Sequence, residues 1–169
     1  EEQYTSTLLS EEFNIYLNSS GNLFTHPSGL DITLDDIYVP LNLRIIDSES
    51  KTDKRTNIEI LTSAIEGSGI LYNIVGGESS GKTSQCKYIF KRYYNQELYP
   101  ILINGSEITA NIRKDNIIRI INEKIGEQYK HIAKATTLDK SKNDSFILII
   151  DDFQKSAKGN DKYWKLLVS

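Results

Sequence analysis

The spacing of apolar residues changes along this chain, and each spacing predicts an element. Leu9, Phe13, Tyr16 and Leu17 recur at helical intervals, which predicts a short amphipathic helix ended by Asn18-Ser19-Ser20-Gly21-Asn22. Ile37, Val39, Leu41, Leu43 and Ile45 alternate with other residues, an extended segment that Pro40 confines to an edge or a bend. Ser48 to Arg55 is wholly polar and reads as an exposed connection. Thr56 and Glu59 then have capping-box spacing, with Ile58, Leu61 and Ile65 on one face and Gly67 placed to stop a helix.

From there strand and helix patterns take turns. Ile70-Leu71-Tyr72-Asn73-Ile74-Val75 is a β-favouring run, after which Cys86, Ile89, Phe90, Tyr93 and Tyr94 recur at helical spacing. A polar turn at Asn95-Gln96-Glu97 precedes a second strand, Tyr99 to Ile103, closed by Asn104-Gly105. Ile117, Ile118, Ile121, Ile125 and Tyr129 stripe a helix of about four turns. Residues 133–145 form a polar loop, and Phe146-Ile147-Leu148-Ile149-Ile150 is the continuous apolar run of a parallel strand covered on both faces. The stretch Asp161 to Leu167, with Tyr163 and Trp164, reads as a helix. The order predicts an α/β fold, a parallel sheet with helices on both faces joined by right-handed crossovers. Residues 1–55 are expected to be a helix and an extended arm, and residues 56–169 the core.

Composition narrows the function classes. At 169 residues, with 38% hydrophobic and 25% charged residues and a net charge of −3, the chain is one domain's worth of soluble protein. It lacks the basic excess of a nucleic-acid or membrane-surface binder, so neither partner is expected. Its apolar runs are too short to cross a bilayer and it opens on Glu1-Glu2, unlike a signal peptide, which makes the cytoplasm the expected compartment. Cys86 is the single cysteine, expected as a packed thiol. There is no methionine, so residue 1 is not a translation start and the chain is expected to be a piece of something longer.

The candidate chemistry lies between the first strand and its helix. Gly76-Gly77-Glu78-Ser79-Ser80-Gly81-Lys82-Thr83 fits G-x-x-x-x-G-K-[ST] at every fixed position, in the required order of strand, glycine loop and helix. A loop that wraps polyphosphate turns its N–H groups inward, and Gly76, Gly77 and Gly81 allow the turn and the close approach. Residues Gly76 to Ser84 would cradle the phosphates at the positive end of the helix, with Lys82 on the β- and γ-phosphates and the Thr83 hydroxyl on Mg²⁺. The second half of such a site is an acid at the end of a buried strand. Asp151 is therefore the candidate for the metal through its water shell, and Asp152 the candidate general base.

Gly76 to Thr83 together with Ile149-Ile150-Asp151-Asp152-Phe153 resembles the STAND class of P-loop NTPases, signalling ATPases related to the AAA and NACHT groups. The lead-in Phe24-Thr25-His26-Pro27, followed by Leu34 to Leu41, resembles the arm before this NTPase in bacterial STAND proteins, some of which act in antiviral defence. The resemblance implies a switch that holds ATP or ADP with Mg²⁺ between arm and sheet, hydrolyses slowly, answers to other domains of the same protein and forms homo-oligomers on activation. It carries the phosphate loop onto Gly76, Gly81, Lys82 and Thr83, the metal acid onto Asp151 and the water-positioning acid onto Asp152. Members of this division also place a sensor-bearing strand between the loop strand and the metal-acid strand. The resemblance implies that this strand and the winged-helix lid lie beyond Ser169, so the αβα sandwich here is expected to be incomplete.

Two other functions use the same loop: a small-molecule kinase, and a nucleotide-binding scaffold without turnover. His26 and His131 are far apart and lack metal-ligand spacing, which argues against zinc or Ser-His-Asp chemistry. Lys87, Lys91 and Arg92 form a small basic side on the helix after the loop, expected to be solvated, and the tyrosines at 88, 93 and 94 are expected in the core or against a partner. Arg44, Arg92, Arg113 and Arg119 read as ordinary solvated charges.

Overall fold

The computed structural model describes residues 8–21, 28–29, 31–45, 54–57, 73–108, 114–130 and 146–156. Its helices are α1 (Glu11–Asn18), α2 (Leu34–Ile37), α3 (Lys82–Tyr94) and α4 (Lys114–Gln128). Its strands are β1 (Asn42–Ile45), β2 (Lys54–Asn57), β3 (Tyr99–Asn104) and β4 (Phe146–Asp151), with short 3₁₀ turns at Gly105–Glu107 and Phe153–Lys155. The chain is mixed α/β. β3 and β4 pair in parallel, from Tyr99 opposite Phe146 to Asn104 opposite Asp151, and α4 lies between them in sequence. No helix among the described residues is long and apolar enough to cross a membrane.

β3 is buried on both faces from Pro100 to Ile103, as its apolar run requires. Among the described residues, its outer edge is closed by side chains rather than by another strand. The carboxamide of Gln128, itself buried, accepts from the Leu102 N–H at 3.1 Å and donates to the Leu102 carbonyl, occupying both groups that a neighbouring strand would use. One step earlier on the same edge, Pro100 has no N–H to offer and its carbonyl accepts from the Tyr129 hydroxyl at 2.6 Å. Among the described residues, that outer edge of β3 is blocked by side chains and has no strand beside it.

The same end of α4 receives the start of the described chain. Ser10 N–H donates to the Gln128 carbonyl at 2.8 Å and Lys130 N–H to the Leu8 carbonyl at 2.7 Å, a short antiparallel bridge. Ser10 also caps α1, its hydroxyl accepting from Phe13 N–H. α1 turns Leu17, 1% exposed, into the core, and Phe13 meets Phe90 edge to face at 5.1 Å. Phe90, Ile101, Ile103, Ile125 and Ile149 complete a cluster shared by α3, α4 and the parallel pair.

Several expectations change. Ile37 closes the one-turn helix α2, whose Asp36 carboxylate reaches back to the Thr33 N–H and hydroxyl, so the extended segment starts only after it. Val39 and Leu41 are exposed, and their alternation marks no buried face. Thr56 is not a helix cap: it stands in β2 opposite Leu43, in an antiparallel hairpin with β1, and Lys54-Arg55 belong to that strand rather than to a connection. Residues 55 and 56, on either side of the expected boundary, both lie in β2. Asn73 to Val75 form no strand and Val75 is 77% exposed, because β-favouring composition does not itself supply a pairing partner. Residues 58–72, the loop 133–145, the helix expected at 161–167, both histidines, Arg113 and the lead-in at 24–27 lie outside the described residues.

Gln128→Ala strips both partners from a buried backbone position. Its cost is expected at about 2–4 kcal/mol, and that of Tyr129→Phe at about 1 kcal/mol. Urea unfolding midpoints measure both, and an unchanged midpoint for Gln128→Ala would show that the β3 edge does not depend on it.

Candidate functional site

The glycine loop runs exposed from Asn73 into α3. Gly81 takes a left-handed conformation, φ +80°, at the helix cap, where a side chain would be strained. Ser79 is also left-handed at φ +55°. Gly76 lies close under the Ser80 hydroxyl, whereas open space surrounds Gly77, and Glu78 and Ser80 are exposed. The first intrahelical bond runs from Gln85 N–H to the Gly81 carbonyl, so the N–H groups of Lys82, Thr83 and Ser84 have no acceptor within the helix. Lys82 folds back over the loop, its ammonium donating to the carbonyls of Gly77 at 2.6 Å and Gly76 at 3.1 Å.

Asp151 ends β4 and is 5% exposed. The Cys86 thiol of α3 donates to its carboxylate at 3.8 Å. Burial, then the negative charge of Asp151, pushes the Cys86 pKa up to about 12, so the sulfur keeps its proton and remains a donor. Cys86 packs against the core, as its position on the apolar side of the helix predicts.

Asp152 turns away from its neighbour. Its backbone is left-handed at φ +53°, and its carboxylate accepts from Lys155 at 2.6 Å and from Gln154 at 2.9 Å. The hydrogen bond from Lys155 holds this carboxyl below the usual range. The backbone of Asp152 presses on Gly105, where an added Cβ would lie 2.3 Å from the Asp152 carbonyl oxygen. The Asn104-Gly105 pair was legible only as a strand stop. Its contact with the acidic turn joins segments far apart in sequence, and no spacing rule reports that.

The basic side of α3 is not solvated. Lys87 is 5% exposed, donates to the Ser19 carbonyl at 3.1 Å and lies 4.1 Å from the centre of the Tyr16 ring. Desolvation lowers its pKa, partly offset by the charge of Asp151. Lys91 binds the Asn18 side chain at 2.7 Å and pairs with Asp35. Tyr88 stacks on Tyr38 at 4.6 Å, while Tyr93 is buried and Tyr94 packs against the core. The missed signal was the neighbouring arm: a cationic stripe reads the same whether it faces water or another segment's carbonyls. Arg119 does pair with Glu123 on an exposed helix face, and the side chain of Arg44 lies outside the described residues.

Among the described residues no group of three His, Cys, Asp or Glu side chains gathers, so a cation here would rely on Asp151, the Thr83 hydroxyl and oxygens of its own ligand. Compared with models of known families, with curated proteins and with solved structures, the chain gives no match. The functional reading therefore rests on the site itself.

A thiol raised from 9.0 to about 12 is expected to react with maleimide at pH 8 at least about a hundredfold more slowly in the native chain than in urea. Because the folded pKa is the higher one, the stability that Cys86 contributes is present below pH 9 and lost as pH rises from 9 toward about 12. Equal labelling rates in native and unfolded protein would remove the buried-donor assignment.

Proposed function

We propose that the chain binds ATP or ADP with Mg²⁺ in a P-loop NTPase fold and serves as the nucleotide switch of a larger signalling ATPase with slow hydrolysis. The observation that carries the reading is the meeting of its two motifs. Cys86 lies three residues after Thr83, on the same face of α3, and touches Asp151. That contact sets the candidate metal acid beside the helix turn whose N-terminal end carries Lys82, Thr83 and the unbonded N–H groups. The donors fit a hard cation and a polyphosphate: a buried carboxylate, a hydroxyl at the helix start, an ammonium and a left-handed glycine hinge. Bound nucleotide would supply the polyphosphate oxygens, and the cation would offset their charge.

In this reading Lys82 leaves the carbonyls of Gly76 and Gly77 for the phosphates, and Asp151 orients the cation's water shell. Asp152 positions the attacking water once its carboxylate parts from Lys155. The paired state of Asp152 favours a second reading, a nucleotide-binding scaffold that does not turn over.

Mg²⁺-ATP is expected to raise the melting temperature, with about 2.7 kcal/mol of stabilisation at a hundredfold excess over Kd, and Lys82→Ala should abolish the shift. No shift in the wild-type chain, and no nucleotide released on denaturing the purified protein, would sink the nucleotide reading. In the full-length protein Asp152→Ala separates switch from scaffold, since it should keep the binding shift and lose phosphate release. A full-length protein that binds nucleotide but releases no phosphate favours the scaffold.

A further inference from the structure

We propose that Gly105 is a positioning residue for the acidic pair, seating the turn that carries Asp152 and thereby fixing how Asp151 and Asp152 leave the end of β4. The proposal rests on the nucleotide reading above and adds to it the element that sets the metal side of the site. A Cβ at position 105 would lie 2.3 Å from the carbonyl oxygen of Asp152, 2.8 Å from its carbonyl carbon and 2.8 Å from the Cα of Phe153. All three are backbone atoms, so no side-chain rotation relieves the clash. Gly105 is not among the glycines with positive φ, and what it provides is therefore room rather than an unusual conformation.

The surrounding turn is built to stay in place. The Asn104 side-chain oxygen accepts from Ser106 N–H at 3.0 Å and from the Ser106 hydroxyl at 2.7 Å, folding the chain directly after β3. Asn104 is also the register partner of Asp151, so this turn lies alongside the strand end that bears the acids. Asp152 opposite holds φ +53° and ψ +39°, a left-handed conformation uncommon for residues with a Cβ but easier for Asp, whose carboxylate here bonds locally to Gln154 and Lys155. The 3₁₀ turns at Gly105–Glu107 and Phe153–Lys155 pack against each other. The second turn is thus held by its own hydrogen bonds and seated against the first. An added methyl group at 105 would displace the Asp152 peptide and, through it, the adjoining Asp151 carboxylate.

The test titrates the full chain with a fluorescent ADP analogue, once in Mg²⁺ and once in EDTA. The wild-type chain should bind more tightly in Mg²⁺, and Gly105→Ala should keep its EDTA affinity while the Mg²⁺-dependent gain falls about tenfold. A general loss of folded protein scales both titrations alike and cancels in their ratio, so a merely structural role leaves that ratio unmoved. Asn104→Ala loosens the turn without adding an atom; it should lower the gain about threefold, and it decides the matter if Gly105→Ala does not fold. A folded variant with the wild-type Mg²⁺ gain overturns the proposal. Wild-type binding with no Mg²⁺ gain also overturns it while leaving nucleotide binding intact, whereas no binding in either condition removes the nucleotide reading and this proposal with it.

Discussion

The pairing of the Gln128 carboxamide with both backbone groups of Leu102 decides how the rest of the molecule can be arranged. A parallel strand that has spent its outward N–H and C=O on a side chain accepts no further strand on that side. With Pro100 and Tyr129 completing the same edge, β4 is left as the side on which the β3–β4 sheet can extend. That places Asp151 toward the middle of any larger sheet, where a buried carboxylate at a strand end is positioned to meet a loop from a neighbouring strand. The bond also anchors the end of α4, and that end in turn holds residues 8–10. The Gln128 side chain thus closes the sheet edge while its backbone carbonyl receives the entry of the arm.

From this frame α3 emerges as the element with two loyalties. Its N-terminal end continues the glycine loop, one face touches Asp151 through Cys86, and an adjoining face holds the arm through Lys87, Tyr88 and Lys91. The arm contacts differ in strength. Lys91 and Asp35 form a half-exposed ion pair, which is worth little alone. Lys87 has lost its water and depends on the Ser19 carbonyl and the Tyr16 ring, so breaking that contact leaves a buried charge unsatisfied. The burial of Leu17 and the contact of Phe13 with Phe90 supply the apolar part of the same attachment.

What was legible in the sequence follows a physical division. α3, α4, β3 and β4 are long, strongly patterned segments, and each lies where the spacing of its apolar residues predicts. The sequence also named a loop at Gly76 to Thr83 and an acid at Asp151, and the structure brings them near one another through Cys86, which is a statement of position and not of chemistry. The failures share a different cause. Thr56 and Glu59 carry a local helix signal, yet Thr56 stands in a strand opposite Leu43, a non-local pairing that local spacing cannot report. Lys87 and Lys91 gave a polar stripe whose partner lies some seventy positions away. Gly105 gave a turn signal that was correct and incomplete, since its close neighbour is the backbone of Asp152.

The charges of the candidate site are already occupied within the chain, and this changes what ligand binding means. Lys82 is bonded to two loop carbonyls and Asp152 to Lys155 and Gln154. A phosphate that takes Lys82 exchanges one set of hydrogen bonds for another, so its net gain is the charge-assisted difference rather than the whole interaction. The freed Gly76 and Gly77 carbonyls must then turn outward to water, which the exposed setting of the loop allows. Asp152 is held differently: its carboxylate is tied within the turn at Phe153–Lys155, and because the Lys155 side chain is exposed, water can take over that ammonium when the pair opens. On the proposed reading, occupancy of the loop and release of Asp152 are separate steps, the first an exchange of hydrogen bonds at Lys82 and the second the opening of an exposed ion pair.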